Sequence, residues 1–125
     1  MIPKKRFVTL DKVTPDYSGA IGAALPKIAA AILKATGASN FNILQNNGRP
    51  AHQEVGHVHF HIIPKHDDGS GLMTKGKSFW PSKPLDKAAA AVLAEKIAQN
   101  IKAADEAGKE GEPTTESASK EQSDL

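Results

Sequence analysis

His57, His59 and His61 alternate with Val58, Phe60 and Ile62 in the stretch Gly56 to Pro64. Imidazole is the side chain that can act as nucleophile, acid–base group or metal ligand near neutral pH. A period of two places successive side chains on opposite faces of a strand, so the three imidazoles share one face and the three apolar chains the other. At a rise of roughly 3.3 Å per residue, the outer two Cα atoms stand about 13 Å apart, a row rather than a cluster. Three chemistries suit such a row. The first is none, an exposed histidine-rich face. The second is a zinc site, for which ligand nitrogens must converge to about 2.0 Å from one ion; a straight row resists this, and the chain has no cysteine to complete the set. The third is catalysis at phosphorus, and the residues just upstream favour it.

Those residues, Asn46-Asn47-Gly48-Arg49-Pro50-Ala51-His52-Gln53-Glu54-Val55, form a loop of turn formers and amide side chains. Main-chain N–H groups and amides beside imidazoles provide donors for anionic oxygens, as a phosphate site requires. The whole stretch from Asn46 to Pro64 resembles the histidine-triad (HIT) family, and its wording is similar to the fungal members of the Hint-like, nucleoside phosphoramidase branch. The resemblance implies roles. His59 is the nucleophile that attacks the α-phosphorus of a purine nucleoside 5′-phosphoramidate and carries a nucleotidyl-imidazole intermediate. His57 orients it, and His61 with the loop amides stabilises charge on the phosphoryl oxygens. Asn46, Gln53 and Glu54 occupy phosphate-contacting positions, with the main chain favoured over the Glu54 carboxylate, which would repel an anion. Metal and cofactor are not expected. The alternatives are hydrolysis of dinucleoside polyphosphates, as in another branch of the family, and nucleotide binding without catalysis.

Met1-Ile2-Pro3-Lys4-Lys5-Arg6 resembles a segment found about halfway along Hint-like domains. The expected fold is therefore an α/β (α+β) HIT-like domain truncated at its N-terminus, without part of the nucleoside pocket wall. Arg6 stands where many relatives carry a further histidine; arginine can pair with phosphate but cannot give up a proton near neutral pH. Phe79-Trp80-Pro81 resembles the tryptophan–proline element near the active site of Hint proteins, which makes Trp80 a candidate substrate neighbour.

The elements that must carry these residues follow from patterning. Thr14-Pro15-Asp16 combines a capping residue, proline at the first helical position and an early acid. Tyr17, Ile21, Leu25, Ile28 and Ile32 then mark one apolar face, Gly37 ends the helix, and Pro26 is expected to kink or divide it. Phe41 to Gln45 reads as a strand feeding the Asn46 loop, Gly56 to Pro64 as its central neighbour, and residues 1 to 8 as a third strand. A C-terminal helix over residues 84 to 104 carries the stripe Leu85, Ala89, Leu93, Ile97 and Ile101.

The 125 residues suit one domain over 1–104, followed by an acidic, disordered tail over 105–125. The net charge of +2 divides into +7 over residues 1–104 and −5 over the tail, and a basic body suits an anionic ligand. The lysines are scattered and no nucleic-acid motif is present, so a nucleic-acid partner is not expected. Nor is a membrane partner, since no run of about eighteen apolar residues occurs. The resemblance implies a homodimer, with the first helix and the Phe41 strand at its interface. The expected compartment is the cytoplasm, with or without the nucleus.

Overall fold

The structure, a computed structural model, describes residues 1–68 and 84–110. Four elements follow in order: α1 (Pro15–Thr36), β1 (Asn40–Leu44), β2 (His61–Lys65) and α2 (Lys87–Glu110). β1 and β2 form an antiparallel pair in which Asn40 stands opposite Lys65 and Leu44 opposite His61. Both helices pack together, and α1 also touches both strands. The result is the mixed helix and antiparallel sheet architecture expected.

α1 begins at Thr14, with Pro15 at the first helical position, where a missing N–H costs nothing. The Thr14 hydroxyl bonds the Asp16 carboxylate instead of capping a main-chain N–H. The helix closes on Gly37, whose φ of 71° lies in the left-handed region and whose N–H donates to the Leu33 carbonyl at 2.9 Å. Pro26 does not divide α1, which continues through it. The carbonyl that loses its donor there belongs to Gly22, an exposed residue without a side chain to crowd the proline ring, so water can take the place of the missing bond. By length and composition α1 could also cross a membrane. Four of its residues, Ile21, Ala29, Ala31 and Ala35, are buried inside the protein.

The core forms where α1 meets the histidine segment. Val58 is completely buried, with Phe7, Ile21 and Phe60 around it and Met1, Val13, Tyr17 and Leu25 closing the sides. Phe7 and Tyr17 meet edge to face at 5.2 Å between ring centres.

Three expectations need correction. Regular strand structure begins only at His61, so His57 and His59 precede β2, and residues 1 to 8 form no strand. The reason lies in the pairing: the Val58 N–H donates to the Phe7 carbonyl at 2.7 Å and the Phe60 N–H to the Met1 carbonyl at 2.8 Å. Two residues of one segment thus span six of the other, and no ladder can run through such a mismatch. The apolar alternation survives without the strand, for Val58 and Phe60 are buried while His57 and His59 are partly exposed.

The second correction concerns the C-terminal stripe, which packs only from Ile97 onward. Ile97 and Ile101 are half-buried against α1, while Leu85 and Leu93 remain exposed. The third is its end, because α2 continues past residue 104 to Glu110. Asp105 pairs with Lys27 of α1, and the Asn100 side chain donates to the Ala31 carbonyl at 3.2 Å, so this half of the helix is tied down.

Candidate active site

The Asn46–Val55 loop is braced from within by side-chain amides. Gln53 is 5 % exposed, and its amide oxygen accepts the Gly48 N–H at 2.7 Å. Its amide nitrogen donates to the Val8 carbonyl at 2.6 Å and the Val55 carbonyl at 3.0 Å. The main-chain N–H of Gln53 is also used, by the Gly48 carbonyl at 3.1 Å. In this arrangement every donor of Gln53 is taken by a main-chain carbonyl, and the residue holds the loop shape. The loop's own turn is a short 3₁₀ segment, Arg49–Ala51, ended by His52 at a φ of 63°, a strained value for a side-chain-bearing residue. The Asn46 side chain donates to the His52 carbonyl at 3.2 Å and so steadies that turn.

Asn47, which sequence reasoning passed over, ties the loop to the N-terminal segment. Its side-chain oxygen accepts the Leu10 N–H at 2.8 Å and a proton of the Gln45 amide at 3.0 Å. An asparagine in a turn-rich run is a general signal for such a bond, but nothing local names Leu10 as the partner. After Gln53 the main-chain N–H groups of Glu54 and Val55 carry no bond among the described residues. The Glu54 side chain is exposed. The Val55 carbonyl accepts the His57 N–H at 2.8 Å, turning the chain tightly into the histidine segment.

The arch Pro3–Phe7 encloses His57. His57 Nε2 lies 3.1 Å from the Pro3 carbonyl oxygen, which can only accept, so that nitrogen carries the proton. Its Nδ1 is within reach of both the Phe7 N–H at 3.4 Å and the Phe7 carbonyl at 3.3 Å. With the proton on Nε2, a neutral ring accepts from the N–H. His59 is set by the same logic: its Nδ1 stands 2.7 Å from the His57 carbonyl oxygen and donates to it, leaving the lone pair on Nε2.

His61, the first residue of β2, meets His59 edge to face with ring centres 5.0 Å apart. The row therefore closes into a pair of touching rings at one end. Burial holds the His61 imidazole below the usual histidine range, and the neighbouring His59 and Met1 amino group push the same way. Arg6 donates from Nε to the Gly56 carbonyl at 3.1 Å, just ahead of His57. Trp80 lies outside the described residues.

The family model for the HIT domain matches residues 1–68, the segment that contains the arch, the braced loop and all three histidines. The chain belongs to the HIT domain family. Within that family it is 40 % identical over 102 residues to the adenosine 5′-monophosphoramidase hnt1 of Schizosaccharomyces pombe, a match covering 82 % of this chain and 71 % of that protein. It is 45 % identical over 65 residues to the adenylylsulfatase HINT3 of Arabidopsis thaliana, covering 52 % of this chain and 33 % of that one. Among solved structures, a hypothetical histidine triad nucleotide-binding protein of Sulfolobus tokodaii superposes with a TM-score of 0.68 at 30 % identity, covering 82 % of this chain and 67 % of that chain. The HIT fold thus extends beyond the segment matched by the family model.

Proposed function

We propose that this HIT protein is a hydrolase that cleaves purine nucleoside 5′-phosphoramidates at the α-phosphorus through a nucleotidyl intermediate on His59. The observation that carries this reading is the 2.7 Å bond from His59 Nδ1 to the His57 carbonyl, which holds the ring in the tautomer with a free Nε2 lone pair. In the first step a bond forms from Nε2 to phosphorus and the bond from phosphorus to nitrogen breaks, the amine leaving with its electron pair and taking up a proton. In the second, water attacks phosphorus and gives a proton to solvent, balancing the one the amine took from solvent, the bond to Nε2 breaks, and the nucleoside monophosphate is released. His57 positions the nucleophile through its carbonyl. The main-chain N–H groups of Glu54 and Val55, which carry no bond among the described residues, offer donors for phosphoryl oxygens, and Asn46 shapes the loop that presents them.

Support comes also from the names of the relatives, an adenosine 5′-monophosphoramidase and an adenylylsulfatase, both of which describe cleavage at an adenylyl phosphorus. The second name favours a related reading, in which an acid anhydride is the substrate. A homodimer accompanies the reading. Among the described residues β1 is paired on one edge only, and its Phe41 and Ile43 side chains are exposed, a surface suited to a second copy.

The test is hydrolysis of adenosine 5′-phosphoramidate by the purified chain. AMP release that falls by about a thousandfold or more in His59→Ala, with acid quenching that traps a nucleotidylated wild-type protein, is the expected outcome. A folded wild-type chain that binds AMP without turning over the phosphoramidate would instead favour a non-catalytic nucleotide-binding role.

A further inference from the structure

Arg6 is placed for a narrower task than general phosphate attraction. It belongs to the arch over His57, its Nε is anchored on the Gly56 carbonyl at 3.1 Å, and its Nη2 lies 3.6 Å from where a side-chain carbon on Gly56 would stand. Its two Nη nitrogens carry no bond among the described residues, and the side chain is exposed. Lys5, the adjacent cation, is turned elsewhere, with its ammonium 5.6 Å and 5.8 Å from the ring centres of Phe7 and Tyr17. A permanent charge with unused paired donors therefore stands at Gly56, the residue just ahead of the triad.

We infer that Arg6 receives the leaving group, and that it biases the site toward nucleoside 5′-phosphates joined to an anionic leaving group, sulfate or a further phosphate, over those joined to an amine. The inference rests on the His59 reading above and concerns only its first step. As the bond from His59 Nε2 to phosphorus forms, the bonding pair of the breaking bond moves onto the leaving atom. A sulfate or phosphate oxygen departs as a weakly basic anion and needs charge and donors alone. An amine nitrogen must also take up a proton. Guanidinium supplies the charge and a fork of N–H groups matched to such oxygens, but no proton near neutral pH. The second step, attack of water on the nucleotidyl-histidine, is common to both substrates and leaves Arg6 without a leaving group to hold.

The experiment compares kcat/KM for adenosine 5′-phosphosulfate and adenosine 5′-phosphoramidate in the full chain and in Arg6→Gln, Arg6→Lys and Arg6→His. Unchanged urea midpoints show that the exposed substitutions leave the fold intact. Arg6→Gln is expected to lower the value for the phosphosulfate about tenfold more than that for the phosphoramidate. Arg6→Lys should keep part of the wild-type ratio, having the charge without the fork, and Arg6→His should move the ratio further toward the phosphoramidate, because imidazolium can donate a proton. An equal loss on both substrates in Arg6→Gln would assign Arg6 to the shared α-phosphate and overturn the inference while leaving the His59 reading in place. A wild-type chain that cleaves neither substrate and is never nucleotidylated would overturn both.

Discussion

Gln53 and His59 show how side chains of one short stretch divide between holding and reacting. All the hydrogen-bonding groups of the Gln53 amide are engaged by main-chain partners at Val8, Gly48 and Val55, inside the protein. Truncation removes three part-buried hydrogen bonds, so Gln53→Ala should cost about 1–3 kcal/mol of unfolding free energy and lower activity through loop disorder. Urea denaturation measures the first effect, and a loss of activity with no change in stability would show a direct contact with substrate instead. His61 gives a pH prediction with a definite sign. Its folded-state pKa lies below the unfolded value because burial disfavours the cation. The unfolded chain therefore binds more protons in the window below about 6.5, and the stability contributed by the neutral ring is present above that window and lost as pH falls through it. The urea midpoint should decline between pH 7.5 and 5.5, and His61→Asn should flatten that decline; parallel curves would sink the assignment.

At the scale of elements, the short segment Val55–Phe60 does what a strand was expected to do, without being one. Val58 and Phe60 enter the core between α1 and the N-terminal arch, while carbonyls and N–H groups of the segment are shared with Met1, Phe7 and the loop. Val58, completely buried, locks the register that presents His57 and His59. Val58→Ala should destabilise by about 1–3 kcal/mol and leave the two rings less well held, seen as a larger fall in kcat than in substrate binding. At the other end of α1, Gly37 adopts a φ that a Cβ disfavours. Gly37→Ala should cost about 1 kcal/mol by thermal or urea unfolding, even though a Cβ there would meet nothing within 4 Å, since the penalty lies in the backbone.

For the whole molecule, the sheet edge at β1 is the feature that a single copy leaves unfinished. Phe41 and Ile43 stand exposed on a strand whose outer edge has no partner among the described residues. If two copies join there, Ile43→Glu should convert a dimer into a monomer by sedimentation or light scattering, through a desolvated charge in an apolar interface. A wild-type chain that sediments as a monomer at all concentrations would overturn the proposed assembly. The helices face a different situation, for α2 is tied to α1 by Asn100 and the Asp105–Lys27 pair in its C-terminal half. The leading half of α2 exposes Val92 and Leu93, and Leu85 just before it is exposed as well.

Much of this was already legible in residue order. The alternation separated the buried Val58 and Phe60 from the partly exposed His57 and His59, because period two reflects extended backbone whether or not a ladder forms. Thr14-Pro15 and Gly37 marked the ends of α1, because proline and glycine act on their own φ angles. The HIT resemblance likewise rested on a local motif. What residue order could not decide were the contacts between segments far apart in the chain. The arch of Pro3 and Phe7 around His57, the bond of Asn47 to Leu10, and the burial of Gln53 under Val8 all join positions dozens of residues apart. Local propensity does not contain such pairings. Packing decides them, by burying Val58 and Phe60 and thereby bringing two distant stretches of main chain within hydrogen-bonding distance; those bonds set the His57 tautomer, whereas that of His59 is set locally by the His57 carbonyl.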